Sequence, residues 1–361
     1  MTAKRANPLR IINSVAPIRI CDNGGWTDTW FAGHGKIFNI GVYPYAEVQI
    51  EVYGRDEQEE RVIINAENYG ERYGVTPGEQ RKQTRHPLLE AAIERMKVPE
   101  EAAIHVTIFS EAPAGASVGT SAAVTVALIG ALDSLTPGRL TRDEIARAAH
   151  SIEVDALHQQ SGIQDQLCSV HGGINFIEMA RYPEGVVTQL SVPDPVWWEL
   201  ERRLVLVFLG RSHSSSEVHE KVIRELSGEG PDCKRLADLR ITAERSRDAI
   251  LSGDFRALGA AMTENTGAQG RLHPELISRD AWRVIEIARE HGALGWKVNG
   301  AGGLGGSITI LADSRSHVKR TMTRAIEQEN ALFKNIPVYL SRFGIRIWET
   351  AGAVKKGAER A

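Results

Sequence analysis

Pro113-Ala-Gly-Ala-Ser-Val-Gly-Thr-Ser121 is the stretch from which the fold reads outward. Before it, Ile104-His-Val-Thr-Ile-Phe109 alternates apolar and polar side chains, the period of a strand with one wet face. After it, an Ala-rich apolar run from Ala122 to Leu135 reads as a buried helix that stops near Thr136-Pro137-Gly138. Between the two, small residues let backbone N–H groups approach an anion. The helix that begins there adds unpaired donors and the positive end of its dipole. Polyphosphate is the ligand such a cradle suits. It is not a Walker A loop, because the Gly-Lys-[Ser/Thr] ending is absent and no lysine lies within it. A tight strand-to-helix turn without a ligand has the same order of elements, and the Ser121 hydroxyl could cap the helix or bind Mg²⁺.

Upstream, Tyr45–Tyr53 alternates as a strand. Downstream, a helix is expected from Thr141, a plausible N-cap, to about Gln159, with Ser161-Gly162 breaking it. Gly173–Glu178 and Leu204–Leu209 read as buried strands, and helices follow at Ser216–Leu226, Lys234–Leu251 and Pro274–His291. Ser307–Leu311 and Ile345–Trp348 complete the strands. Val192-Pro-Asp-Pro195 is the best boundary, dividing the chain into 1–195 and 196–361. Strands and helices mix without strict βαβ alternation, which is α+β architecture.

The chain has 361 residues, 42% hydrophobic and 25% charged, a globular composition with room for two domains. A formal net charge of −3 argues against nucleic acid or an anionic membrane as partner. Cys21, Cys168 and Cys233 are scattered, without metal-ligand spacing, as suits free thiols in a reducing compartment. The first residues lack a signal-peptide apolar region, and no apolar run has membrane-spanning length. A cytoplasmic location is expected by elimination.

Two more glycine-kinked stretches stand out. Ala16-Pro-Ile-Arg-Ile-Cys-Asp-Asn-Gly-Gly-Trp-Thr-Asp-Thr29 carries one arginine and two aspartates. Lys297-Val-Asn-Gly-Ala-Gly-Gly-Leu-Gly-Gly-Ser307 precedes a strand, and Gly302-Gly303 permits backbone geometries closed to other residues. With the loop at 113–123, these stretches resemble the three motifs of the GHMP kinases, in order and across nearly the whole chain. The resemblance implies a GHMP kinase fold of two α/β sandwich-like domains, the N-terminal one ribosomal-protein-S5-like and the C-terminal one ferredoxin-like. It implies ATP and Mg²⁺, with Pro113, Gly115, Ala116, Ser117, Val118, Gly119, Thr120, Ser121 and Ala122 around the nucleotide. Gly24-Gly-Trp-Thr-Asp-Thr29 is similar to the corresponding stretch of L-fucokinase kinase domains. Gln164-Asp-Gln166 with His171-Gly-Gly-Ile-Asn-Phe176 resembles the heptose 7-phosphate kinases. The second motif departs from the usual Gly-Leu-Gly-x-Ser-Ser but keeps its small residues and terminal hydroxyl. Asp22-Asn23 replaces a more usual apolar pair.

On that resemblance Asp165 is the catalytic base, and Arg19, nine residues before Asp28, holds it ionised and stabilises transferred charge. Glu153 and Ser121 are the implied Mg²⁺ ligands. Asp155 is a nearby alternative to Glu153 but points about 200° away around a helix. Asp28 suits a sugar hydroxyl, since a carboxylate accepts hydroxyl hydrogen bonds. Trp26 offers a flat wall to a sugar ring, although core packing explains it equally well. Thr27, His171, Gly173, Arg211, Gly302 and Gly303 complete the expected substrate side. Arg211–Ser216 could be a substrate loop, or Ser216 could cap the next helix. The expected partners are a small-molecule sugar and ATP, in a monomer or homodimer. The adenine pocket has only faint candidates, between Ile63 and Tyr73.

Overall fold

The structure is a computed structural model. It describes residues 7–76, 78, 84–211, 215–226 and 228–351, without the side chains of 215–219 and 351. The chain opens with two long strands, β1 (Arg10–Asn23) and β2 (Gly35–Gly54), then β3 (Val62–Ala66) and β4 (Glu71–Val75). Helix α1 (Pro87–Met96) leads to β5 (Ala102–Ser110), the glycine loop and α2 (Thr120–Asp133). Next come α3 (Arg142–Ser151), α4 (Gln164–His171), β6 (Ile174–Arg181) and β7 (Glu184–Gln189). After α5 (Asp194–Arg203) and β8 (Leu204–Phe208) run four helices, α6 (Ser215–Glu225), α7 (Lys234–Leu251), α8 (Phe255–Leu272) and α9 (Arg279–Glu290). The remainder is β9 (Gly295–Val298), β10 (Ser307–Leu311), α10 (Ser316–Glu329), β11 (Lys334–Ile336), β12 (Tyr339–Leu340) and β13 (Arg346–Ala351).

Among the described residues, nine strands form one sheet along the path β13-β1-β2-β5-β3-β4, with β12, β6 and β7 attached through the far end of β2. Its pairings are antiparallel except β3 with β5. The second sheet is antiparallel, ordered β11-β8-β10-β9. The α+β expectation therefore holds. The main core lies between the first sheet and α2, which is buried nearly all round, as its Ala, Val, Leu and Ile content demands. A second core sits between the small sheet and the helices α9 and α10. Trp26, Val222, Leu236, Ala268 and Leu276 make a third, smaller cluster.

Two expectations needed adjustment. Thr141 does cap α3, in a capping box with Glu144, but the helix stops at Ser151 and continues as a single π turn over Ile152–Ala156. The Gln159 N–H closes onto Glu153 O at 2.9 Å, so the chain turns back before the expected end. The boundary at 195 does not separate the sheets, since β12 pairs with β2 and β13 with β1, returning the C-terminal segment to the first sheet. Pro193 and Pro195, read as marking that boundary, introduce α5.

Candidate active site

The three glycine-rich stretches meet and lock together. The Arg19 N–H donates to Val118 O at 2.9 Å, and the Arg19 Nη1 donates to Ser117 O. Ser307 Oγ donates to Ala116 O at 2.6 Å, and the Cys21 N–H donates to Asn299 Oδ1 at 3.1 Å. The Gly300 N–H donates to the Asp22 carboxylate at 3.0 Å. Register breaks in the β1–β2 ladder after Pro17 and after Ile20 free this end of β1 to leave the sheet. The result is a cleft of about 320 Å³ lined by β1, the turn after it, the loop at 115–122, the π turn, residues 159–165 and residues 300–301.

One wall is backbone. Gly115, Ser117 and Gly119 take left-handed φ of 74°, 57° and 72°, alternating along the loop in the pattern from which anion-binding nests are built. Ser117 holds this conformation without being glycine, which is strain of the kind found at functional sites. Gly119 stands at the N-cap of α2 without a side-chain cap, leaving the helix's first donors open to the cleft. Ser121 is exposed there, and the Thr120 Oγ1 is buried without a partner among the described residues.

The opposite wall is side chains. Arg19 Nε and Nη2 reach Asp165 Oδ1 and Oδ2 at 2.7 and 3.2 Å, a two-pronged ion pair on the floor. Burial works against the Arg19 charge, but Asp165, with Asp22 and Asp28, outweighs it and raises the guanidinium's pKa. A Cβ on Gly119 would lie 3.0 Å from Asp165 Oδ2, so the anion cradle and the carboxylate are in contact. Glu153 projects from the π turn, buried, accepting from Ser161 Oγ at 2.8 Å and Gln166 Nε2 at 2.9 Å. Burial pushes its carboxyl up to about 7 against those hydrogen bonds, and Asp165 adds to the rise. Asp155 is exposed and outside the cleft, as its helical angle to Glu153 implied.

Asp28 is buried beside them, its Oδ2 accepting from the Gln164 N–H at 3.1 Å and its Oδ1 from Gln164 Nε2 at 3.4 Å. Burial pushes it up to about 6, with Asp165 contributing. Gly162 is required here, since a Cβ would sit 1.9 Å from Asp28 Oδ2. Asp22 is wholly buried and pairs with Lys297 Nζ at 3.2 Å, a lysine that is itself 1% exposed and whose pKa burial lowers. Sequence reading missed this pair and missed Gln164 as a lining residue. Trp26 lines the cleft and also packs in the third core cluster.

Most of the other expected substrate residues lie elsewhere. His171 closes α4 at the end opposite Asp165, about 9 Å along the axis at 1.5 Å per residue, and pairs with Asp143 at 2.8 Å. Gly173 exchanges backbone hydrogen bonds with Gly41 and Ser341. Thr27 turns its hydroxyl to Gly24 O at 2.7 Å. Gly302 and Gly303 pack on Leu276, so Gly300 and Ala301 face the cleft in their place. Pro113 also stands outside it, and Arg211 is exposed with its carbonyl accepting from the Gly306 N–H. Residues 212–214 lie outside the described residues, as does the Ser216 side chain. Residues 63–73 form the β3–β4 edge, where Asn68 exchanges hydrogen bonds with the backbone of Ser110 just before the glycine loop.

Mg²⁺ fits this arrangement in a limited way. Among the described residues no cluster of three or more acidic, His or Cys side chains forms a cage. Among the described residues Glu153 is a buried carboxylate without a cationic partner, and the exposed Ser121 lines the same cleft. That pairing suits an ion that keeps most of its ligands as phosphate and water.

Comparison with known proteins gives matches along most of the chain. The family model described as GHMP kinases N terminal domain matches residues 87–173, and that described as GHMP kinases C terminal matches 246–328. The chain is 25% identical over 253 residues to a D-glycero-α-D-manno-heptose 7-phosphate kinase of Campylobacter jejuni, covering 70% of this chain and 72% of the relative. It is 32% identical over 251 residues to a mevalonate kinase of Thermococcus sibiricus, covering 68% and 69%. A crystal structure of a D-glycero-D-manno-heptose 1-phosphate kinase from Bacteroides thetaiotaomicron superposes with a TM-score of 0.71 at 22% identity, over 93% of this chain and 98% of that one.

Proposed function

The chain belongs to the GHMP kinases and is thus an ATP-using small-molecule kinase, and on that premise we propose that it phosphorylates a sugar hydroxyl. The acceptor we favour is the anomeric O1 of a fucose-, galactose- or heptose-type sugar, with Mg²⁺ assisting. The observation that carries this reading is Asp165, held by Arg19 against the phosphate loop and sharing its cleft with the buried Asp28.

Phosphoryl transfer asks a protein mainly to position two substrates and neutralise charge. The loop's backbone and the open start of α2 hold the polyphosphate. Asp165 accepts the proton of the attacking hydroxyl, and Arg19 fixes that carboxylate by two hydrogen bonds while its charge faces the site of transfer. Ser121 and Glu153 would hold the Mg²⁺, which supplies positive charge to the phosphate oxygens. Asp28 receives a sugar hydroxyl, and Trp26 walls the same space.

Identity to mevalonate kinases at 30–32% favours a second reading, a kinase for a small non-sugar alcohol. Steady-state ATP turnover with fucose, galactose, manno-heptoses, mevalonate and homoserine separates the two. Turnover confined to mevalonate or homoserine would overturn the sugar assignment, and binding of sugar and ATP without turnover would make the chain a sensor.

A further inference from the structure

The acceptor end of the cleft carries more acid than base. Asp22, Asp28 and Asp165 face it, while Arg19 is the cation among the described lining residues, with Lys297 buried directly behind. Both cations are already engaged, Arg19 by two bonds to Asp165 and Lys297 by Asp22, Gln269 Oε1 at 3.0 Å and Val298 O. Pairing them off leaves Asp28 as an uncompensated negative charge.

A second observation is independent of charge. Gln164, 6% exposed, gives its Nε2 to Asp28, which fixes which end of the amide is oxygen. Its Oε1 is buried and has no hydrogen-bond partner among the described residues. Natural interiors rarely leave such an acceptor unpaired. An acceptor next to a carboxylate asks the ligand for O–H donors, and a phosphate or carboxylate oxygen only accepts.

We infer that the acceptor substrate is an uncharged polyol sugar bearing no phosphate or carboxylate of its own, with Gln164 Oε1 and Asp28 reading its hydroxyls. The inference rests on the kinase reading of the same cleft and narrows it. It sets this chain apart from the heptose 7-phosphate and mevalonate kinases it is similar to, whose named substrates are anions. No bond is made or broken beyond the phosphoryl transfer already described.

The test compares matched acceptors on the full chain at saturating Mg-ATP, so that the phosphate loop is occupied. Galactose is set against galactose 6-phosphate, a manno-heptose against its 7-phosphate, and mevalonate is included. The neutral member of the preferred pair should exceed its phosphate in kcat/KM by roughly a hundredfold, since like charges brought together cost several kcal/mol. Gln164→Leu should lower the preferred sugar's kcat/KM about 3–10-fold through KM, leave nucleotide affinity unchanged, and leave the deoxy analogue lacking the contacted hydroxyl indifferent. A sugar phosphate or mevalonate as best acceptor overturns the inference while leaving the kinase reading intact. Calorimetry of the same pairs with a non-hydrolysable ATP analogue covers the other case. Neutral sugars binding better without turnover would sink the kinase reading and keep the inference, and equal or better binding of the phosphates would overturn it. If Gln164→Leu fails to fold, the matched-acceptor comparison on the natural protein decides alone.

Discussion

The two walls of the cleft are built from different materials. The wall proposed to hold phosphate, residues 115–122, is backbone shaped by glycine and small residues over one short run. The wall proposed to hold the acceptor is mainly side chains, brought from β1, the following turn and the start of α4. A backbone cradle recognises any polyphosphate and tolerates changes of side chain, as its departure from the usual family motif illustrates. A side-chain wall specifies one acceptor and fails when one partner is lost. Arg19 joins the two, bonding Ser117 O on one side and Asp165 on the other.

The largest effect should come from the joint itself. Asp165→Asn is expected to lower turnover by about 10²–10⁴-fold, the range for a general base, with ATP affinity nearly unchanged by calorimetry. A loss under about tenfold would remove Asp165 from that role.

Lys297→Met strips the partner from a fully buried Asp22. Breaking a buried pair from one side typically costs about 3–5 kcal/mol, read from urea unfolding. Adding Asp22→Asn should recover much of it, because the stranded charge is gone. Loss below about 1 kcal/mol for the single variant would show that water reaches Asp22.

Glu153 sharpens the comparison through pH. Its pKa is raised from 4.5 to about 7 in the folded, metal-free protein. That contribution to stability is complete below about pH 4.5 and is lost as pH rises through 7. At roughly 1.4 kcal/mol for each tenfold change in proton affinity, its size is on the order of 3 kcal/mol. Glu153→Gln escapes this loss, so its melting temperature relative to the natural protein should rise from pH 5 to pH 8. Mg-ATP at pH 8 should stabilise the natural protein more than Glu153→Gln, which should also need more Mg²⁺ for activity. Asp155→Asn should behave as the natural protein, and the reverse pattern would move the metal site to Asp155.

A smaller effect is expected on the backbone wall. Gly119→Ala forces a left-handed φ on alanine, about 1–2 kcal/mol, and brings a Cβ to 3.0 Å from Asp165 Oδ2. Both nucleotide affinity and turnover should fall, unlike in any acceptor-wall variant.

What the sequence revealed follows the same division. The phosphate loop, its flanking strand and helix, and α7 were legible because each signal is local. Helix α8 escaped notice because Gly259, Gly267 and Gly270 weaken its helical pattern. Gly259 is there for packing, since its Cβ would meet Leu294 O at 2.4 Å. Helix α10 buries only Met322 and Ile326, too narrow a stripe to stand out in a polar segment. Arg19, Asp28, Glu153 and Asp165 were found through motifs, whereas the Asp22–Lys297 pair joins distant positions that no spacing rule connects. His171 and Gly173 share a motif-like stretch with Asp165, but α4 carries them away from the cleft.

The separateness of the two walls is the central claim, and one paired titration tests it. Asp28→Ala and Ser121→Ala are each titrated with Mg-ATP and with the preferred sugar. Asp28→Ala should lose about 10–150-fold in the sugar's kcat/KM, the equivalent of a charge-assisted hydrogen bond of roughly 1.5–3 kcal/mol, with ATP affinity unchanged. Ser121→Ala should raise the Mg²⁺ requirement and leave sugar affinity alone. If ATP affinity collapses with sugar use in Asp28→Ala, or every deoxy analogue loses equally, the two walls are one structural unit and Asp28 does not read the acceptor.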